Sequence, residues 1–547
     1  MKLSSLPAIE IMVDGAPLSQ FSVISITINQ HINDIPSANI ILGLTGDIIH
    51  IFDHKTQEEL TNCRPNSEFV AQIEKEIVFK GIIVRQQLEL KGQDSLVILT
   101  AKHPLQKLTH GLNSQLFSQQ SDEEIIRKLF NQAGIPVTIK QNAQLRTVHE
   151  QMAQFRCNNW VFLRKRLNAT NTWMLPGTET VTLVTPESLN QSTVHTLSQQ
   201  SSSQDINIQE DNHQEIVLFE ASLQWDNQYN PETVNITSWD IVEQELSQAI
   251  QVSKSELGSG QLASDNVSSL TNQGSQWIFS YSLDNEQTLN LAQGILNNQR
   301  IHNVSGRFYV AGDNRYQAGD ILELTGFGQA MDGRTIITGV NQSINQQQGW
   351  RTQLTLGMQP EARQPASQVK ELHIGIVEKF QEDSQSLDRI PIKIPAFGSG
   401  SDTLFARLSK PYASNESGFC FYPEPGDEVI IGFFECNPDF PVILGSMHNP
   451  KNKTPLAPSE ENSMKTLVIR QAENQQSLIF NNKEKIISIN SGEHKLSLQQ
   501  DKDITFDSVK NLIMTATEEI KLQAEESLSA SGQSGVDIKG ANINLTQ

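Results

Sequence analysis

The chain has 547 residues, 37% of them hydrophobic, and a formal net charge of −21. That length corresponds to about three to four domains of roughly 150 residues each. The acidic balance speaks against nucleic acid as a partner, because binding a polyanion needs a basic surface that releases counterions.

No stretch approaches the ~18 uninterrupted apolar residues of a membrane-spanning helix. Met1-Lys2-Leu3-Ser4-Ser5-Leu6-Pro7 lacks the apolar core of a signal peptide, so synthesis in the cytoplasm without such a signal is expected. Cys63, Cys157, Cys420 and Cys436 show no CxxC spacing, so neither a zinc site nor a disulfide scaffold is indicated.

In chain order, short alternating runs of Val, Ile, Leu and Thr bounded by Gly, Asn and Asp predict strands. Examples are Phe21–Ile28, Leu96–Ala101, Ile216–Leu223 and Thr335–Val340. Three helices interrupt them. Ser121 through Glu124 forms a capping box opening a helix with Ile125, Ile126, Leu129 and Phe130 on one face, stopped by Gly134 and Pro136. Trp160–Leu167 is a second helical run, and Asp284 caps a third through Leu289, Leu291 and Ile295. The polar stretches 185–215 and 250–276 read as long loops or domain joints. Further breaks lie near Pro360–Pro365 and Pro450–Ser459.

Residues 371–449 read as a compact OB-like barrel. Its predicted strands are Leu372–Lys379, Arg389–Ile394, Leu404–Leu408, Gly418–Tyr422, Glu428–Phe434 and Pro441–Ser446. Pro425-Gly426-Asp427 supplies a turn before the fifth of these.

The strongest signal follows the barrel. At a period of eight, Leu496, Ile504, Leu512, Ile520, Leu528 and Val536 share one phase. Two residues later come Leu498, Phe506, Met514, Leu522, Ala530 and Ile538. Nine-residue steps extend the pattern backward to Ile487/Ile489 and Leu478/Phe480, and a seven-residue step carries it forward to Ile543/Leu545. A spacing of two puts both apolar residues of a unit on one face of a strand. An eight-residue unit is too short to encircle a core by itself, since single-chain solenoids spend about 20 or more residues per repeat. One chain therefore offers a strip with one apolar side, and three strips wound together give the economical closure. The expected rod is about 40 Å long at the ~4.8 Å spacing of neighbouring strands.

A search for chemistry finds no active site. His149-Glu150 is followed by Ala153 where an HExxH zinc motif needs His. Gly398-Ser399-Gly400-Ser401 is not GxSxG, and Gly326-Phe327-Gly328 leads to Met331 where a dinucleotide fingerprint needs Gly. Glu424, Asp427 and Glu428 flank a Pro-Gly turn, where solvated charge is the expected role. The expectation is therefore a non-enzymatic protein without metal or cofactor. A β-helical enzyme or adhesin that cleaves or binds polysaccharide or peptidoglycan is the alternative of another class.

Four pieces carry a family resemblance: Asp388-Arg389-Ile390-Pro391-Ile392-Lys393-Ile394-Pro395, Phe405-Ala406-Arg407-Leu408, Pro423 through Val429, and Pro441 through Ser446. In order and spacing they resemble the barrel of the valine-glycine repeat protein G (VgrG) family, the spike proteins of contractile injection systems and related phage tails. Gln154-Phe155 through Leu167, Ala318 through Leu322, and Gly333 through Gly357 resemble that family's hub.

The resemblance implies a mainly β chain. Two hub β-barrel-like domains with a few helices (1–190 and 191–365) precede an OB-fold barrel (366–455) and a triple-stranded intertwined β-helix (470–547) in a homotrimer. It implies baseplate proteins, an inner tube protein and cargo as partners, and a target envelope that the needle punctures on contraction. The C-terminus lacks the His-x-His ligands of metal-tipped spikes, which implies a separate PAAR-type tip protein on Ile543, Asn544 and Leu545. Ala396-Phe397 stands where many type VI spikes have an aromatic-Asp pair, and the sequence stops at Gln547 without an effector domain. Both features favour the phage-like extracellular systems, whose particles are released from the cell, over a type VI spike.

Overall fold

The computed structural model describes residues 6–44, 53–91, 94–140, 143–199, 207–209, 215–358, 368–398, 403–471 and 473–545. The chain falls into two compact units, 1–447 and 448–547. The fold is mainly β.

In the first unit one continuous sheet runs from the edge strand Ala16–Pro17 through Ile9–Val13, Glu68–Ile73, Glu76–Lys91, Asp94–Lys102, Ser37–Leu44 and Phe21–His31, in that spatial order. Phe21–His31 then pairs antiparallel with Gly333–Asn345, placing Ile26 opposite Ile344. From there the sheet runs through Ile321–Thr325, Val194–Gln199, Asn207–Gln209, Glu215–Trp225, Val304–Ala311 and Gly349–Leu356. The last strand pairs back onto Gly333–Asn345 and closes a ring. Inward residues alternate with outward ones, as the period of two requires. Ile26, Ile40, Phe69, Ile73 and Leu99 fill one core, and Phe308, Val310, Leu324 and Leu354 fill another.

Among the described residues four α-helices pack around these sheets: α1 (His54–Asn62), α2 (Asp122–Ala133), α3 (Asn159–Ala169) and α4 (Asn285–Arg300). The capping box of α2 forms as predicted. The Ser121 hydroxyl accepts from the Glu124 amide at 3.3 Å, and the Glu124 carboxylate accepts from the Ser121 amide at 2.8 Å. Gly134 ends the helix in the left-handed conformation at φ 67°, which a Cβ would disfavour. Asp284 caps α4 through the Gln287 amide at 2.7 Å. Phe117 stacks on Phe162 of α3 at 5.6 Å, and α4 lays Ala292 and Leu296 on Val234 and Ile236.

Three expectations need correction. The stretch 185–215 is not wholly loop, because Val194–Gln199 is a sheet strand paired parallel with Ile321–Thr325. Its polar side chains are satisfied inside the fold: His195 meets Asp320 at 2.9 Å and Thr196 donates to Glu323 at 2.8 Å. In 250–276, Leu257, Leu262 and Ser264 are buried although the composition reads as open loop. Gly418–Tyr422 is not a barrel strand. Ser417–Gly418 pairs only with Ala413–Ser414 in a small hairpin, and Phe419–Tyr422 lies outside any strand. The break at Pro360–Pro365 and the residues Ser399, Gly400 and Ser401 lie outside the described residues.

The barrel closes from five strands: His373–Val377, Arg389–Lys393, Leu404–Leu408, Glu428–Phe433 and Pro441–Met447. Leu404–Leu408 and Pro441–Met447 run parallel, with Arg407 opposite Val442. Ile392, Leu404, Val429, Ile431 and Ile443 fill the interior.

Two imidazoles make the first unit acid-sensitive. Burial pushes His103 down to about 4, and likewise His302. Both stay neutral in the fold, whereas an unfolded histidine takes up a proton near 6.5. Their stabilisation is therefore complete above about pH 6.5 and is lost as pH falls towards 4, by at most about 1.4 kcal/mol per unit for His103. Urea denaturation of the full chain at pH 7.5 and 5 should show the lower midpoint at pH 5, and His103→Gln should flatten that difference.

Candidate assembly surface

The second unit carries the octads. Met464–Gln471, Asn474–Asn481, Ile486–Ser491, His494–Gln499 and Ile504–Asp507 form an antiparallel sheet in sequence order. The ladder aligns the apolar pairs of successive units: Leu478 opposite Ile489, Phe480 opposite Ile487, Ile487 opposite Leu498, Ile489 opposite Leu496, Leu496 opposite Phe506 and Leu498 opposite Ile504. Directly opposed residues share a face, so the pairs make one apolar stripe. The other face mixes Ser477, Ser488, Ser497 and Thr505 with Val468, Ile479 and Ile486. The stripe joins the apolar pairs of four of the nine expected units, and the units from Leu512/Met514 to Ile543/Leu545, expected as further strands, form none among the described residues. Its neighbouring strands run antiparallel within one chain, a connection that the spacing left open.

The stripe also extends one strand further back than the octads indicate. Leu467 lies opposite Leu478, and the step of eleven residues between them hides the phase from a period-eight reading.

Nothing in the single chain covers this stripe among the described residues. Leu496 is half-buried, while Ile504 and Phe506 are each 62% exposed. Leu498, Leu512, Met514, Ile520, Leu522, Leu528, Val536, Ile538, Ile543 and Leu545 are exposed as well, as is Asn544. Beyond Asp507 the described residues form no strand.

Several ionic groups of the first unit tie distant segments together. Arg389 directs Nη1 and Nη2 at the two oxygens of Glu150 at 2.8 and 3.0 Å, and Nε at Asp383 at 3.0 Å. Gln151 donates to the Asp439 carbonyl at 2.8 Å and accepts from the Phe405 amide at 2.9 Å. These bonds fasten the strand Val148–Cys157 to the barrel. Burial alone would raise the Asp383 carboxyl, but the Arg389 guanidinium and the Gln385 and Leu387 amides more than offset it and hold it far below the usual range. His149 and Glu150, which sequence reasoning could only test against a zinc motif, are both engaged in such contacts. His149 meets Asp122 at 2.7 Å, and Asp122 accepts from Arg166 Nε at 2.6 Å. Ala396-Phe397 lies at the same junction, with Phe397 against Phe155 at 4.9 Å and stacked on Phe433 at 5.8 Å. At the Pro-Gly turn, Asp427 accepts from the Glu424 amide at 2.9 Å, a local turn contact.

Residues 373–448 match the type VI secretion system/phage-baseplate injector OB domain. Residues 4–346 match the Alg8 N-terminal domain. The chain belongs to the Alg8 N-terminal domain family.

The solved structures it resembles share its fold at low identity. One is an Escherichia coli component of the type VI secretion system, described as similar to the T4 bacteriophage tail proteins gp27 and gp5. It is 12% identical with a TM-score of 0.51, over 80% of this chain and 99% of that one. Another is a Francisella PdpA-VgrG complex in a half-lidded state, at 10% identity and TM-score 0.59, covering 92% of this chain and 88% of that one. A lidless PdpA-VgrG complex matches at 11% identity and TM-score 0.59, over 92% and 99%. This member of the family thus shares the fold of those structures, a mainly β first part followed by an OB barrel. Among the described residues no helix is long and apolar enough to cross a membrane.

Proposed function

We propose that three copies of this chain form the central spike of a contractile injection machine. Residues 1–365 act as the hub that couples the baseplate to the inner tube, residues 366–455 are the OB collar, and residues 470–547 wind with two other copies into a needle. Leu496, Leu498, Ile504, Phe506, Leu512, Met514, Ile520, Leu522, Leu528, Val536 and Ile538 face the needle axis. Ile543, Asn544 and Leu545 receive a PAAR-type tip protein. The action is mechanical and not catalytic: sheath contraction drives the needle into a target envelope, and the hub helps retain cargo. The spike belongs to a particle assembled in the cytoplasm and released to the outside.

The observation that carries this reading is the apolar stripe, held in register over successive units yet exposed in the single chain. Soluble monomers rarely leave so long an apolar surface uncovered. The PdpA-VgrG complexes support assembly with further proteins. Light scattering on the purified chain should give about three times 61.0 kDa. A monodisperse monomer would sink the reading, and robust cleavage of peptidoglycan or polysaccharide by the purified protein would replace it with the enzymatic one.

A further inference from the structure

The small sheet of Val234–Asp240, Glu245–Leu246, Ile250–Val252 and Ser275–Phe279 has two faces. On one, Val234, Ile236 and Val252 are buried against Ala292 and Leu296 of α4. Alternation puts Thr237 and Trp239 on the other, with Leu246 opposite Trp239 and Ile278 opposite Thr237. This second face is apolar yet open, Leu246 being 47% and Ile278 59% exposed. Where it meets the barrel, Trp239, Leu246, Ile278, Phe434 and Arg407 line a recess of about 250 Å³. Its two walls are pinned to each other. The Ser280 amide donates to Glu435 at 2.6 Å, and the Tyr281 ring stacks on Phe440 at 4.1 Å.

Arg407 supplies the charge in that lining. It alternates with the inward, buried Leu404 and Ala406, so it points away from the barrel interior. It is half-buried, and it has no hydrogen-bond or ion-pair partner among the described residues. Its neighbour across the strand pair is Arg389, whose guanidinium is taken by Glu150 and Asp383. The acidic side chains beside the lining residues are directed elsewhere. Glu435 accepts from Ser280, and Asp240 accepts from the amides of Val242 and Glu243 at 2.8 and 3.2 Å. Glu245 alternates with Leu246 onto the opposite side of its strand.

An unpaired guanidinium set in an apolar wall suits a carboxylate that arrives with an apolar group attached, because the fork pairs with both carboxylate oxygens. The volume decides what kind of molecule brings it. The recess is smaller than the roughly 300–1,000 Å³ of small-molecule sites, and it opens onto the exposed apolar rim of Leu246 and Ile278. It therefore suits one large side chain of a polypeptide whose next residues lie on the rim. The net charge of −21 repels an acidic tract, so a single carboxylate among apolar groups fits best.

We infer that this recess binds the C-terminus of a partner polypeptide ending in a large apolar residue. The terminal side chain enters between Trp239, Ile278 and Phe434, and the terminal carboxylate pairs with Arg407. At a chain end both groups leave the same carbon, which delivers them to one recess together. The inference goes beyond the spike reading and does not depend on it.

The test is fluorine NMR of N-acetyl-Gly-Gly-para-fluorophenylalanine, as the free acid and as the amide, titrated with the full chain. The acid should bind at least about tenfold more tightly than the amide, as one charge-assisted pair predicts. Arg407→Gln should abolish that difference and leave the amide's binding unchanged. Ile278→Asp, a change at an exposed position, should weaken the acid at least about tenfold by bringing a carboxylate to the recess. Both variants should keep the circular dichroism of the parent. Equal binding of acid and amide overturns the inference, as does a difference that survives Arg407→Gln. Parent-like binding of the acid by Ile278→Asp places the peptide elsewhere and overturns it too. So does failure of the parent to bind either peptide, the result expected where a second copy of the chain covers the recess. Light scattering on the same samples reports the trimer separately, so the two readings fail independently.

Discussion

Ile520→Asp is expected to destroy the needle's trimer. In the single chain Ile520 is 49% exposed, with no apolar cover of its own, and in the proposed rod three copies of it meet around the axis. An ionised carboxylate in so narrow a dry space costs several kcal/mol. The alternative is to hold it protonated, which at pH 7 costs about 4 kcal/mol for a group whose ordinary value is 3.9. Three chains incur that together, so the loss exceeds what a few flanking units can offset. Light scattering should report a mass below three chains, or, where the hub still holds the copies together, thermal unfolding of the second unit should shift far downward. Ser529→Asp, which differs in phase by one residue, should leave mass and melting unchanged. If both variants melt like the parent, the phase assignment is wrong.

The contrast between those two positions reflects what the sequence can reveal. The octads are legible because fixed spacing encodes a face, and the ladder that pairs Leu478 with Ile489 and Leu498 with Ile504 follows that phase. The caps of α2 and α4 are equally local, each being one side chain and one amide three residues on. The elements that were missed depend on distant partners. Val194–Gln199 reads as polar loop until Asp320 and Glu323 arrive to satisfy His195 and Thr196. Phe419–Tyr422 reads as a strand because aromatic residues favour a pleated surface, but it lies outside any strand, and residue preference cannot report a missing neighbour. The Arg389 fork joins residues separated by 239 positions. The motif around Arg389 was visible; Glu150 carries no local sign of it. α1 was missed for a further reason: only Thr56 of its residues is buried, so no apolar stripe announces it.

Arg166→Met should cost the first unit about 3–5 kcal/mol, the usual consequence of leaving a buried charge without its partner. Asp122 is 1% exposed and holds Arg166 through Nε at 2.6 Å and Nη2 at 2.9 Å, with His149 at 2.7 Å. Burial would push this carboxyl up, but Arg166 and then His149 overcome it and bring it down to about 2. The sign of the pH dependence follows. A carboxyl depressed in the fold stabilises fully above its unfolded value near 3.8–3.9, and that stability is lost as pH falls through about 2. Without Arg166 the same carboxyl titrates higher in the fold, so the variant's deficit should be largest at neutral pH and shrink below about pH 4. Asp122→Asn combined with Arg166→Met removes the stranded charge, and it should recover part of the loss at pH 7. Urea midpoints of the parent, the single variant and the double variant at pH 7 and 3.5 check both points. A deficit independent of pH, with no recovery in the double variant, would mean that Arg166 holds α2 and α3 together through the packing of its stem, and that its charge contributes little.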